Sequence, residues 1–361
     1  MPDNIIPGQN LGVIESPLIE SDYVADVNSP IVYKVVVPDG KWLAYESAGE
    51  QQIGVYFDTM ACVTFSAIKC IVLQLNRAKA AGEIPNVILA RCRELGYLNA
   101  AGWFDFSERF IAKMSGTTTG GNSARAVWDT IRHCGLLGQQ DWPYPNTQRT
   151  PVFSWDDYYA DVPQALQDKA LLALELLDIA YEQITDVTLA NLDKHLKQAP
   201  IQILTYTCPP WNTTDIVLSC GVHPSTHSTV LGGIEAGYID DLDSYDPFNK
   251  KLALDYQINF AFKGVVAIKP TQPAQPMKHF VDKTLYQLIT PGSVGGFFVM
   301  AGGMLRRDLT AELQATWIEI SSVPNPNGVG KIFTSGLVDT CTTDDLAGVP
   351  LFDLKGNPAT L

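Results

Sequence analysis

Apolar positions recur at helical spacing through Ala67, Ile68, Cys70, Ile71, Val72, Leu73 and Leu75. They follow directly on the polar start of Phe57-Asp-Thr-Met-Ala-Cys-Val-Thr-Phe-Ser-Ala67. The pattern predicts a buried helix over 58–82, capped by Asp58 or Thr59 and closed by Gly82. One or two further helices are expected within 84–115, then a Gly/Thr loop over 116–122. A helix from Ser123 through Ala126, Val127, Trp128 and Ile131 ends at Gly135 or Gly138. The Ala-, Leu- and Glu-rich run from Pro163 to Ala180 reads as helix, and Thr188 to Gln198 as another.

From Pro200 the period changes. Pro200-Ile-Gln-Ile-Leu-Thr-Tyr206 alternates as a strand does, and further strands are predicted at 227–232, 236–243, 251–258 and 265–268. Helices first and strands afterwards predict an α+β domain with a helical lobe and a β lobe. The prolines of 269–276 read as a linker. Short strands at 285–289, 296–300, 317–321 and 331–333 make a small β-rich C-terminal appendage. Ahead of the domain lies an extended, Pro- and Ser-rich arm with one strand at 31–37. The divisions are 1–45 for the arm, 46–269 for the α+β domain and 270–361 for the appendage.

Composition narrows the class. With 46% hydrophobic and 18% charged residues in 361, a sizeable core is expected and global disorder is excluded. No apolar run reaches the roughly 18 residues of a membrane span, and the first residues lack the basic and apolar regions of a signal peptide. The net charge is −14, and the first 60 residues hold nine acids against Lys34 and Lys41. That balance argues against a nucleic-acid partner, which needs a basic stripe. Seven cysteines (62, 70, 92, 134, 208, 220 and 341) are odd in number and hold no CxxC pair. They read as mostly free thiols of a reducing compartment rather than a disulfide framework or zinc site.

Candidate chemistry centres on Cys62, where the polar segment turns into the buried helix. A thiol in a first helical turn feels the positive end of the dipole, which lowers its pKa; a free cysteine there is otherwise an ordinary core residue. Cys–His catalysis needs a histidine beside the thiolate and a third group orienting the imidazole. His227 enters a predicted strand, and Asp241-Leu-Asp-Ser-Tyr245 lies on the next, so a hairpin would bring His227 and Asp243 within reach. His223 and His133 compete less well: one precedes Pro224, the other ends a helix, where a histidine is ordinary. Asp240, Asp241, Asp243 and Asp246 do not form a calcium loop, because the sixth and twelfth positions counted from Asp241 are Asp246 and Leu252. Asn327 to Lys331 lacks the first glycine of a phosphate loop. No metal and no cofactor is expected.

Taken in order, short stretches over roughly 48–268 resemble the papain-like cysteine peptidases. Cys62-Val-Thr-Phe65 resembles the family's Cys-Trp-Ala-Phe helix start, and Phe106-Ser-Glu-Arg109 its Leu-Ser-Glu-Gln. Thr117-Thr-Thr-Gly-Gly121 looks like the Cys-x-Gly-Gly loop, and Trp142-Pro-Tyr144 the Tyr-Pro-Tyr turn. Ala199-Pro-Ile-Gln202 is similar to Gly-Pro-Val before a strand. His227-Ser-Thr-Val-Leu-Gly-Gly233 echoes His-Ala-Val-Leu-x-x-Gly, and Leu242-Asp-Ser-Tyr245 resembles Lys-Asn-Ser-Trp.

The resemblance implies a two-lobed papain-like fold, with the Cys helix in the helical lobe and the His and Asp in the β lobe. It implies Cys62 as nucleophile, His227 as base and Asp243, in the Asn position, as the group orienting His227. Gln52 and the Cys62 N–H would form the oxyanion hole. Gly120 and Gly121 would pair a polypeptide substrate, and Tyr245 would stand for the family's shielding Trp. The implied activity is hydrolysis of peptide or isopeptide bonds through a Cys62 thioester. An inactive papain-fold binding component and an acyl transferase are the alternatives. Three features depart from the family pattern. Tyr56 occupies the usual Gln position, Thr59 replaces a partner cysteine, and no long helical propeptide precedes Cys62. The acidic arm and the appendage suggest docking into a larger, virion-like assembly, similar in texture to peptidase-like proteins of phage particles. Location inside the cell or in such a particle is the matching expectation.

Overall fold

The computed structural model describes residues 9–31, 34–47, 49–54, 57–144 and 153–269, and further on the strands of 285–352 named below. Two compact units divide at Pro270 and Thr271.

The first unit is built on α1 (Cys62–Ala80). Every residue from Cys62 to Arg77 is buried, as its apolar run requires of a helix covered on all sides. The polar members of that run are partnered: Gln74 donates to the Gly264 carbonyl at 3.0 Å, Asn76 accepts from Phe104 N at 3.0 Å, and Lys69 meets Glu46 at 3.1 Å. The helix starts later than the pattern predicts. Ala61 occupies the N-cap with no side-chain cap, because the Asp58 carboxyl is turned back onto Met60 N at 2.9 Å.

Around α1 stand α2 (Asn86–Glu94), α3 (Glu108–Met114) and α4 (Ala124–Cys134), the last capped by Ser123 and ended by Gly135 at φ 74°. Then come the short α5 (Trp155–Tyr158), α6 (Gln164–Leu171) and α7 (Ala173–Leu176), and α8 (Leu189–Leu196). The β lobe is one seven-stranded sheet of β1 (Leu177–Ile184), β2 (Ile201–Thr205), β3 (Ile216–Val217), β4 (His227–Ile234), β5 (Ile239–Leu242), β6 (Asn249–Leu252) and β7 (Ile258–Ile268). Their order is β1-β7-β2-β4-β5-β6-β3. Thus α+β is the architecture, with α1 packed on β4 and β7.

Two sequence expectations fail here. The helix expected through Ala180 stops at Leu176, and β1 pairs in register with β7 from Leu177↔Ile268 to Ile184↔Ala261. Local helix propensity is overridden by this long antiparallel pairing. No strand forms among the described residues of 31–37; there the Val36 and Val37 N–H groups both donate to Lys197 O instead. Trp128 packs against the bare backbone of β7, where a Cβ at Gly264 would stand 2.0 Å from the ring. Its indole N–H donates to Gln202 at 2.7 Å, and Gln202 in turn donates to Val63 O at 2.9 Å, tying α4, β2 and α1 together.

Cys208 and Cys220 form a disulfide that the sequence reading did not single out, while Cys62, Cys70, Cys92 and Cys134 are free. The spacing hid the pair because the intervening loop doubles back to bring the two Cα atoms to 5.7 Å. Among the described residues, no helix is long and apolar enough to cross a membrane.

In the second unit, β8 (Leu285–Thr290), β9 (Ser293–Ala301), β10 (Met304–Asp308), β13 (Val338–Cys341) and β14 (Leu351–Phe352) form a sheet in the order β13-β8-β9-β10-β14. A separate pair joins β11 (Val323–Pro324) and β12 (Lys331–Ile332). The linker from 270 onward and the strand expected at 317–321 lie outside the described residues.

Candidate active site

Cys62 is the first residue of α1 and is fully buried. Burial pushes its thiol well above the ordinary range, and Asp58 and Asp243 add to this, against the backbone N–H groups of Ser228 and Val63. The helix-start argument from sequence predicted the opposite direction; desolvation wins because nothing polar from solvent reaches the sulfur.

His227 opens β4. The β4–β5 hairpin ends its ladder at Val230↔Leu242, so the chain beyond β5 crosses to His227. There Asp243 Oδ1 stands 2.6 Å from His227 Nε2. The same carboxylate accepts from Ser244 N at 2.6 Å and from Trp211 Nε1 at 2.8 Å, and pairs with Lys250 Nζ at 2.8 Å. Burial alone would raise Asp243; Lys250 and His227 overcome it and hold the carboxyl well below the usual range. An ionised Asp243 only accepts, so Nε2 carries a proton, and in the neutral imidazole the lone pair lies at Nδ1. That Nδ1 is buried with no hydrogen-bond partner among the described residues. The imidazole stands edge-on between Trp211, at 5.7 Å, and Tyr245, at 5.2 Å.

Gln52 is also fully buried. Its Oε1 accepts from Ser244 Oγ at 2.8 Å, and its Nε2 donates to Asp58 at 2.8 Å and to Tyr245 Oη at 2.7 Å. Tyr245 Oη in turn donates a hydrogen bond to Asp58. The third acceptor facing Gln52 Nε2 is the carbonyl of Leu11, at 3.1 Å.

Leu11 belongs to the arm, which runs over this neighbourhood rather than away from the domain. On the β lobe side, Leu11 N donates to Thr226 O at 2.7 Å, and Ser225 N donates to Glu15 Oε1 at 2.7 Å. On the other side, Asn122 N donates to Gly12 O at 2.9 Å and Ile14 N to Asn122 O at 2.8 Å, a parallel pairing. Asn10 Nδ2 donates to Gly120 O at 3.1 Å. Gly12, at φ +119°, is wedged between two backbones. A Cβ there would stand 2.3 Å from Met60 O, and one at Gly121 would stand 2.2 Å from Gly12.

Cys62, His227, Asp243, Gln52 and Tyr245 are therefore gathered at one place, and Gly120 and Gly121 border it across the arm. The strand-like pairing expected of Gly120 and Gly121 is made by their neighbour Asn122. His223, half-buried, stacks on Tyr206 at 4.4 Å, and His133, exposed, bonds Asp129 O at 2.7 Å, both outside the cluster. Sequence reasoning missed Trp211, Lys250 and the arm residues. Trp211 sits three residues past Cys208 in the loop closed by the disulfide, with no motif to mark it.

No family model and no curated protein matches the chain. Among solved structures, the chain is similar to xylellain, a cysteine protease from Xylella fastidiosa. The identity is 12% and the TM-score 0.47, over 74% of this chain and 99% of that one. It is also similar to the digestive procathepsin L2 proteinase of Tenebrio molitor larval midgut, at 12% identity and TM-score 0.45, over 71% and 78%. The bromelain protease of Ananas comosus follows at 11% identity and TM-score 0.40, over 62% and 97%.

Proposed function

We propose that this chain is a papain-like cysteine peptidase that cleaves peptide bonds through a Cys62 thioester. The observation that carries the reading is the state of His227. One ring nitrogen is held by an ionised Asp243, and the other is buried with no partner among the described residues, at the residue next to the Ser228 N–H that faces the Cys62 sulfur. In this reaction His227 Nδ1 takes the thiol proton and the sulfur attacks the substrate carbonyl carbon. Gln52 Nε2, which already donates to a peptide carbonyl in the arm, and the Cys62 N–H take the oxyanion. His227 then gives its proton to the leaving amine. A water, deprotonated by His227, opens the thioester to release the acid and restore the thiol. Asp243 keeps the imidazole in its tautomer throughout, as the carboxylate does in Ser-His-Asp triads.

Substrate enters only when residues 10–15 leave the cleft. The buried thiol favours a second reading, a binding module whose cleft stays closed. Incubation of the chain, with and without residues 1–16, with a fluorogenic peptide library separates the two. Turnover by the shortened chain, lost in Cys62→Ser, supports the peptidase; no turnover by either form supports the module. Fragment masses distinguish cleavage from acyl transfer.

A further inference from the structure

The carboxylate that holds His227 has a second, equally buried ionic partner. Lys250 Nζ lies 2.8 Å from Asp243 Oδ2, with both side chains at 0% exposure. Its other two donors go to the carbonyls of Tyr245 and Pro247, each at 2.7 Å. Three acceptors around one nitrogen are the geometry of an ammonium, which has three hydrogens to give. The Trp211 ring lies 5.7 Å from the same nitrogen. The placement follows from the sheet: β6 sets Lys250 opposite Asp241 of β5, two residues before Asp243.

Other titratable groups facing this web are Asp241 from β5, Cys62 from α1, Asp58, Tyr245 and Tyr256. Burial, with Asp243 beside it, pushes Asp241 up to about 8, so it is protonated and uncharged at neutral pH. Burial likewise keeps the Cys62 thiol and the two phenols protonated. In contact with each other beside His227 are then the Asp243 carboxylate and the Lys250 ammonium, with Asp58, held by Gln52 and Tyr245, the further carboxyl group of the web.

An unpaired buried carboxylate would do more than orient the imidazole. It would stabilise the imidazolium and oppose a thiolate at Cys62. Lys250 removes that charge and also occupies Oδ2, leaving Oδ1 for His227 and Ser244 N. We propose that Lys250 is a positioning residue that neutralises Asp243, so that a carboxylate orients His227 as an uncharged amide would. The inference rests on the peptidase reading for its purpose, and not for its test.

The test compares the full chain with Lys250→Met, Asp243→Asn and the double variant. It follows the His227 ring signals by NMR, with histidine isotopically labelled, between pH 4 and 10. Losing Lys250 alone leaves a bare carboxylate, and the His227 titration midpoint rises by about one pH unit or more. Losing Asp243 alone leaves a bare ammonium, and the midpoint falls. The double variant is neutral again and returns to within about half a unit of the unaltered chain. Single shifts of the same sign, or a double variant that does not return, overturn the proposal. If either single variant fails to fold, thermal melting reads the same pairing. The double variant then melts well above both singles, and one no more stable than they are overturns the proposal. The titration needs no turnover, so an inactive chain that shows these shifts refutes the peptidase reading alone.

Discussion

The Leu11 carbonyl accepts from Gln52 Nε2 at 3.1 Å, so the amide assigned to the oxyanion already holds a peptide carbonyl of its own chain. The Leu11 N–H is held by Thr226, the residue before His227. The arm lies along the cleft, against Gln52, Met60, Asn122 and Thr226.

Opening the arm should expose the thiol. At Gly12 a side chain meets Met60 O, and the φ of +119° disfavours any residue but glycine. Gly12→Val should raise the rate of Cys62 alkylation by iodoacetamide at least about tenfold, a conservative reading of an opening equilibrium shifted by 1.4 kcal/mol or more. Mass spectrometry of the labelled peptide, with unchanged far-UV circular dichroism, checks it. An unchanged rate would mean that the arm does not guard the cysteine.

Gln52→Ala should lower kcat/KM of the opened chain by about 10²–10³, the cost of one oxyanion donor. Cys62 alkylation should hardly change, because an alkyl halide forms no oxyanion. A loss of both together would point to collapse of the Gln52–Ser244–Tyr245 web instead.

Stability should fall as pH rises from 5 to 8. Asp241 titrates near 8 in the folded chain, raised by burial and Asp243, against about 3.9 unfolded. Between those values the folded state binds the extra proton, so stability declines with pH, on the order of 1 kcal/mol per pH unit. Asp105, raised to about 7 by burial and Glu50, acts in the same direction. Asp243 has the opposite sign, but its contribution is lost only below about pH 4, so it leaves this window untouched. Melting temperatures at pH 5 and 8 measure the slope, and Asp241→Asn should flatten it.

Reduction of Cys208–Cys220 should destabilise the first unit by about 3 kcal/mol, the loop-closure value for a ring of this size. The loop also carries Trp211, which donates to Asp243, so turnover should fall with it. Melting and activity with and without a strong reductant read both effects.

The helix under Cys62 was legible because its apolar residues leave no face free for solvent. The hairpin joining His227 to Asp243 was legible because two alternating stretches lie close in sequence. β1 was not: Leu, Ala and Glu around Leu176 favour helix locally, and only β7, some 80 residues on, makes it a strand. Lys250 was not legible either, because nothing in its neighbours announces a buried carboxylate. Residues 10–15 of the arm carry no periodicity. Its place is set by single backbone contacts at Gly12, Asn122 and Thr226, which leave no pattern in a sequence.

The measurement that bears most directly on the account is the alkylation rate of Cys62 from pH 4 to 9 in the Gly12→Val chain, with and without His227→Ala. Cys134, half-buried and free, serves as the internal reference. A Cys62–His227 pair predicts reaction at pH 5 more than about tenfold faster than at Cys134, lost when His227 is replaced. A Cys62 rate that climbs only above about pH 8, the same with or without His227, would contradict it.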